Sequence, residues 1–345
     1  MTAYAPPTCL ILTPGDPAGI GAEIAMQAWQ DRAAADIPPF VLLDDPARLA
    51  ELAANLGWAI PIEAVTHPAA AAEVFPTALP VLAHTFPARV QPGQPDPANG
   101  GAVVDAIGRA VELTHNGMAK AIVTNPIAKH VLQTAGFAHP GHTEYLAHLA
   151  GSGGPAPTPV MMLTCPELSV VPVTIHLPLK EVPAALTRER LLATLRITAE
   201  GLKRDFGIAR PRLAVAGLNP HAGEDGRMGR EEIDTIAPVL DTLRAEGEAI
   251  AGPLSADTLF HSVARARYDA AVCMYHDQAL IPIKTVDFAR GVNVTLGLPF
   301  VRTSPDHGTA FEIAGTGRAD ATSLVEALKT ARFMADNRTA TQPRD

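Results

Sequence analysis

Short apolar runs alternate along the chain with segments whose apolar residues recur three and four positions apart. "CLILTPGDPAGIGAEIAMQAW" (9–29) predicts a strand, a Gly/Pro turn and a helix. "GGAVVDAIGRAVELTHNG" (100–117) places Val103, Ile107, Ala110 and Val111 at helical spacing and stops at Gly117. "KAIVTNPIAKHVLQTAGF" (120–137) repeats strand, turn and helix. "TRERLLATLRITAEGLKRDFG" (187–207) opens on Thr187 as an N-cap and closes on Gly207. "GREEIDTIAPVLDTLRAEG" (229–247) sets Glu231 and Glu232 in a first helical turn, where the helix dipole favours them, with a kink expected at Pro238. This rhythm predicts an α/β fold with a largely parallel sheet and helices on both faces.

Two segments interrupt the rhythm. Residues 61–98 hold eight prolines and read as irregular or edge structure, and "GSGGPAPTP" (151–159) reads as a loop. With 345 residues and 47% hydrophobic content, the chain is long enough for about two domains. The low aromatic share, 5%, favours α/β over an all-β sandwich. The formal charge of −9 comes with no basic patch, which argues against a nucleic-acid partner. The apolar runs are far shorter than the roughly 20 residues that span a bilayer, so no membrane partner is expected. The opening "MTAYAPPTCLILTPG" lacks the basic and apolar regions of a signal peptide. Cys9, Cys165 and Cys273 are isolated in apolar stretches and are expected as buried, reduced thiols of a cytoplasmic protein.

The ends of the expected strands carry the chemistry. "LSVVPVTI" runs into His176, "RLAVAGL" into "NPHAGED" with His221, and "AAVCMY" into His276. Ligands of open α/β sheets bind beyond the carboxyl ends of strands. Three crossovers would each deliver an imidazole to one rim, the donor set of an open, catalytic metal site. Taken singly, each of the twelve histidines reads as a surface or hydrogen-bonded residue. His67, His84, His115, His130, His148 and His261 keep that reading. The spacings of 45 and 55 residues match no compact metal motif, so the signal lies in the matching contexts.

Other strand ends add polar groups. Lys129 follows "AIVTNPIA", and "GHTEYLAHLAG" offers His142 and Thr143 at a helix start, where free N–H groups attract anions and where Thr143 could simply cap. Lys284 and Arg302 lie in apolar runs, where each needs an anionic ligand or an internal salt bridge. No G-x-G-x-x-G follows a strand, and "TPGDPAGIG" (13–21) reads as a tight turn more readily than as a phosphate cradle.

Taken together, "TPGDPAGIGAEI", "TNPIAK", "PGHTEYLA", "HLPL", "GLNPHAGEDGRMGREEIDTI", "GPLSADTLF", "MYHDQALIPIK" and "GVNVTLGLPFVRTSPDHGTAFEIAG" closely resemble the 4-hydroxythreonine-4-phosphate dehydrogenase family of pyridoxal 5′-phosphate biosynthesis. The resemblance covers nearly the whole chain outside 61–98. Ile175, where a threonine is usual, and Pro305 are small departures. It implies an isocitrate/isopropylmalate dehydrogenase-like fold of two α/β domains around a central cleft. By that analogy residues 1–135 with 285–345 form a cofactor-side domain and 136–284 a dimerisation and metal-site domain.

The family's metal ligands fall on His176, His221 and His276. Its substrate-binding residues fall on His142, Thr143, Lys284, Asn293 and Arg302. "DHGTAFEIAG" looks like the loop that holds the adenosine of NAD, which nominates His307, Gly308, Thr309 and Ala310. The resemblance further implies a homodimer with shared active sites, NAD or NADP, and one divalent ion per site (Zn, Mg, Mn or Co). The implied reaction oxidises C3 of 4-phosphooxy-L-threonine to give 2-amino-3-oxo-4-phosphooxybutanoate, which loses CO₂ to yield 3-amino-2-oxopropyl phosphate. Lys284 and Asp277 are the candidate catalytic residues, Asp277 as orienter of His276 or part of a proton path. Within the superfamily, dehydrogenases of 4-phospho-erythronate or 4-phospho-threonate and of cis-dihydrodiols are the alternatives. A three-histidine metallohydrolase is the alternative from another class.

Overall fold

The computed structural model describes residues 9–139, 141–151 and 154–341. Residues 1–8 of the leader reading, Pro140, Ser152 and Gly153 of the 151–159 loop, and the last four residues lie outside them. The chain forms two compact units, one up to Pro159 with Leu298–Asp336, the other Val160–Gly297 with the stretch from Asn337. These bounds place 136–159 with the first unit and 285–297 with the second. Among the described residues no helix is long and apolar enough to cross a membrane.

In chain order the first unit begins with β1 (Leu10–Thr13), α1 (Gly21–Gln30), β2 (Phe40–Asp44), α2 (Pro46–Asn55), β3 (Ile62–Val65), α3 (Ala71–Val74) and β4 (Leu79–Ala83). It continues with α4 (Gly100–His115), β5 (Ile122–Thr124), α5 (Lys129–Thr134) and α6 (His142–Ala150). The second unit holds β6 (Val160–Cys165), β7 (Leu168–Pro172), α7 (Val182–Ala185), α8 (Arg188–Phe206), β8 (Arg212–Ala216) and α9 (Ala237–Ala245). It ends with β9 (Ala249–Leu254), α10 (Ser262–Arg265), β10 (Ala270–Cys273), α11 (His276–Val286) and β11 (Val292–Leu296). β12 (Arg302–Pro305) returns to the first unit, and α12 (Thr322–Thr341) follows.

In the first unit the strand order is β3-β4-β2-β1-β5-β12, every pair parallel. A parallel strand covered on both faces must be apolar throughout. Leu10, Ile11, Leu12, Phe40, Val41, Leu42 and Leu43 are accordingly all fully buried. Each such side chain contributes roughly 1.5–3 kcal/mol. Ile11, Val41 and Leu43 pack against Val103, Ile107 and Ala110 of α4, the stripe expected from the sequence. The proline-rich stretch supplies the edge strand β3 and its neighbour β4.

In the second unit the order is β11-β6-β7-β10-β8-β9. β7, β10, β8 and β9 run parallel, while β6 pairs antiparallel with β7 and β11. Only Pro166 and Glu167 separate β6 from β7, too short a link for a parallel crossover. α8 starts as expected, with Thr187 Oγ1 accepting from Arg190 N at 3.2 Å, and ends at left-handed Gly207. The helix expected within 229–247 differs: a π-turn, Glu232–Ile236, precedes α9. Pro238 has no N–H for the carbonyl of Asp234, and Arg188 Nε donates to that oxygen at 2.9 Å instead. Cys9, Cys165 and Cys273 are free and buried, as the sequence implied.

Candidate active site

Polar groups of the first unit gather where β5 and β12 end. Arg302 opens β12 and is only 3% exposed. Its Nη2 donates to Thr124 Oγ1, the last residue of β5, at 2.6 Å. Burial pushes the guanidinium from 12.5 down to about 10, with the Glu144 charge partly restoring it. Gly141, not Thr143, is the N-cap of α6, and it supplies no side-chain cap. A Cβ on Gly141 would lie 3.3 Å from Lys129 Nζ and 3.2 Å from Glu144 Oε2, so glycine lets these side chains close over the helix start.

His142 is the first residue of α6, with Thr143 next. Its Nε2 is buried and makes no hydrogen bond. Burial, then the charges of Arg302 and Lys129, hold the imidazole well below its ordinary 6.5, so it is neutral at pH 7. A buried guanidinium, an ammonium and a neutral ring nitrogen thus converge beside open helical N–H groups. That is the chemistry of an anion site.

The proposed metal histidines all lie on the second unit. β7, β10 and β8 are neighbours and parallel, so His176, His276 and His221 leave their carboxyl ends on one rim. The ladder continues past β7 and β10: Val173 N donates to Cys273 O (2.8 Å) and Thr174 Oγ1 to Met274 O (2.7 Å). This brings the rings of His176 and His276 to 5.9 Å between centroids, beside a cavity of about 320 Å³. His276 is the first residue of α11, and its Nδ1 is 2.6 Å from Asp277 Oδ1. That bond assigns the proton to Nδ1 and leaves Nε2 as the donor atom.

His221 stands apart on the loop after β8. His221, Ala222, Gly223, Glu224 and Asp225 all have left-handed backbone, φ between 42° and 82°. The four that are not glycine cost roughly 1–2 kcal/mol each, so the surrounding contacts impose this coil. His221 lies near Asp257, whose carboxyl is held low by the Ser255 hydroxyl first and by His221 to a smaller degree. Among the described residues of one chain, no three His, Cys, Asp or Glu side chains come together as a metal-ligand group. Three imidazoles suit a borderline divalent ion, and among the described residues the rings of His176 and His276 are the two of this set that approach each other.

The remaining candidates are placed as follows. Lys284 is in the last turn of α11, its Nζ 5.2 Å from the Phe288 ring centroid. Asn293 is on β11 with a buried Oδ1 that makes no hydrogen bond. His307, Gly308, Thr309 and Ala310 form the loop after β12. There His307 Nδ1 lies 3.0 Å from Gly308 O, its Nε2 is buried without a hydrogen bond, and Ala310 is left-handed. "TPGDPAGIG" is the turn from β1 to α1, and it supports this loop: Ile20 N donates to Thr309 O at 3.0 Å. Glu23 of α1 accepts from Gly315 N and, at 2.9 Å, from Gly317 N. Sequence reasoning passed over Glu23 and Gln278, since a lone acid or amide in a helix pattern signals a solvated face, and read Glu232 only as a first-turn acid. Gln278 bridges strand ends, accepting from Met274 N (2.6 Å) and donating to Gly217 O (2.8 Å).

Residues 36–331 match the family described as pyridoxal phosphate biosynthetic protein PdxA. The 4-hydroxythreonine-4-phosphate dehydrogenase of Bradyrhizobium diazoefficiens is 56% identical over 339 residues, covering 96% of this chain and 98% of that protein. The crystal structure of 4-hydroxythreonine-4-phosphate dehydrogenase from Klebsiella pneumoniae is similar with a TM-score of 0.84 at 37% identity, covering 95% of this chain and 99% of that one. The enzyme of the same name from Burkholderia phymatum gives 0.80 at 36% identity, with 96% and 99% covered. Matched over most of its length by the family and by relatives of one name, the chain belongs to the PdxA family of pyridoxal phosphate biosynthetic proteins.

Proposed function

We propose that the chain oxidises 4-phosphooxy-L-threonine with NAD or NADP, as a homodimer that takes one divalent ion per active site. The observation that carries this reading is the anion site of Arg302, His142 and Lys129, because a buried guanidinium of lowered pKa suits a bound dianion better than water. The dehydrogenase activity carried in the names of the relatives supplies the reaction class.

Arg302 and Lys129 hold the substrate phosphate, with His142 and Thr143 completing the cradle. Asn293 holds the carboxylate end, and Lys284 lies at the C3 hydroxyl and orients it. When bound, NAD(P) and the metal supply hydride acceptance and Lewis acidity at the C3 hydroxyl. His176, His221 and His276 hold the ion, and Asp277 fixes the tautomer of His276. Lys284 and Asp277 carry the hydroxyl proton away from C3. The loop His307–Ala310 holds the adenosine part of the cofactor. The β-keto acid product then loses CO₂.

The homodimer completes the metal set. His176 and His276 pair within one chain while His221 stands apart, and Leu177, Leu179 and Ile281 expose apolar surface on the same unit (39%, 67% and 62%). With the third imidazole taken from the partner, His176→Ala and His221→Ala homodimers are both inactive, but mixed dimers of the two regain activity at one intact site. Inactive mixed dimers would place all three ligands on one chain. A cytoplasmic location is proposed on the three free, buried thiols.

A further inference from the structure

The loop that carries His221 is wrapped around one buried carboxylate, and the dehydrogenase reading gives that group no role. Glu232 is 3% exposed, at the start of the π-turn that precedes α9. Its Oε1 accepts from Asn219 N at 2.7 Å and its Oε2 from Asn219 Nδ2 at 3.0 Å. Asn219 Nδ2 also donates to Glu231 Oε2 at 2.7 Å, so two consecutive carboxylates grip one residue. The glycines on either side of His221 make room for Glu232. A Cβ on Gly217 would lie 3.0 Å from Oε1, and one on Gly223, where φ is +82°, 2.6 Å from Oε2. The left-handed run His221–Asp225 therefore passes close against the carboxylate at Gly223. A stretch that L-residues disfavour needs such an anchor. Its backbone bonds are local: Ala222 N to Asn219 O at 3.2 Å and Met228 N to Gly223 O at 3.1 Å.

We infer that Glu232 is a positioning residue: through Asn219 it holds the left-handed loop that presents His221 to a divalent ion. This rests on the reading of His221 as a metal donor. Glu232 touches neither substrate nor ion and acts only by fixing the imidazole's place, as a group behind a metal ligand does.

The test uses the full chain stripped of metal and titrated with Co²⁺ alone, followed by visible absorption, together with amide hydrogen exchange of the peptide 217–229. Glu232→Ala is expected to speed exchange in that peptide and to weaken Co²⁺ binding about 10- to 100-fold, with KM for NAD unchanged. Glu232→Gln keeps one acceptor oxygen and the side-chain volume, and is expected to fall between wild type and Glu232→Ala. It also guards against an alanine variant that fails to fold. His221→Ala separates the two claims, since it should lose Co²⁺ affinity while the peptide exchanges as in wild type. Wild-type Co²⁺ affinity in both Glu232 variants, when His221→Ala has lost it, overturns the positioning role even if exchange quickens. Wild-type affinity in His221→Ala overturns the metal reading itself.

Discussion

Replacing Arg302 with methionine should stabilise the ligand-free protein and disable it for its substrate. Burial lowers the guanidinium from 12.5 to about 10. At about 1.36 kcal/mol per pH unit, holding the charge in the fold costs about 3 kcal/mol. Because the folded pKa lies below the unfolded one, the cost is in full force at every pH below about 10 and fades only as pH rises toward 12.5. It is therefore constant across the working range. Methionine is of similar length and uncharged, and it removes this cost. It also loses the bond to Thr124 Oγ1, worth about 1 kcal/mol. The net gain is at most about 2 kcal/mol, which for 345 residues at about 2.1 cal/mol/K per residue raises Tm by up to about 3 °C. The same change removes a buried charged donor from the phosphate, a loss of about 2–5 kcal/mol, or roughly thirty- to several-thousand-fold in kcat/KM. Scanning calorimetry of the apo protein and steady-state kinetics with each substrate varied read the two effects. A variant less stable than wild type, or one whose KM for NAD rises as much as its KM for the phosphorylated substrate, would refute the anion-site account.

His142 gives a pH signature. Its folded pKa lies well below 6.5, so the unfolded chain binds a proton first and stability falls as pH drops below 6.5. His142→Gln should lose less stability than wild type between neutral and mildly acidic pH in urea denaturation, and equal losses would count against the shift. Asp205 is fully buried. Burial would raise its carboxyl, but hydrogen bonds from Arg204 and Arg338 prevail and hold it low. Asp205→Ala leaves Arg338 without its carboxylate and should cost about 3–5 kcal/mol by chemical denaturation. Asp277→Asn should weaken metal binding about 10- to 100-fold in chelator competition by releasing the His276 tautomer. Unchanged affinity would return Asp277 to an ordinary turn residue.

The α/β rhythm was legible because parallel strands covered on both faces must be apolar runs, as Leu10–Leu12 and Phe40–Leu43 are. The approach of His176 and His276 was legible for a related reason: residues following the carboxyl ends of neighbouring parallel strands share one edge of the sheet. Other features depend on tertiary context. No propensity favours left-handed backbone at His221, Ala222, Glu224 and Asp225. Next to it, Asn219 is held by Glu232, which in sequence looks like any acid in a first helical turn. The π-turn arises because Pro238 removes a donor and Arg188, far away in sequence, replaces it. Capping by Thr143 gave way to Gly141, where the side chains of Lys129 and Glu144 crowd the start of α6.

The central claim is oxidation of a phosphorylated hydroxy amino acid. Its most direct test is NADH or NADPH formation by metal-loaded enzyme on 4-phosphooxy-L-threonine, on its dephosphorylated form and on its 2-hydroxy analogue, each repeated after chelation. The expected result is turnover of the phosphorylated amino acid in preference to both others, lost on chelation and restored by a divalent ion. Equal or better turnover of the dephosphorylated form or of the 2-hydroxy analogue, or full activity in metal-free enzyme, would contradict it.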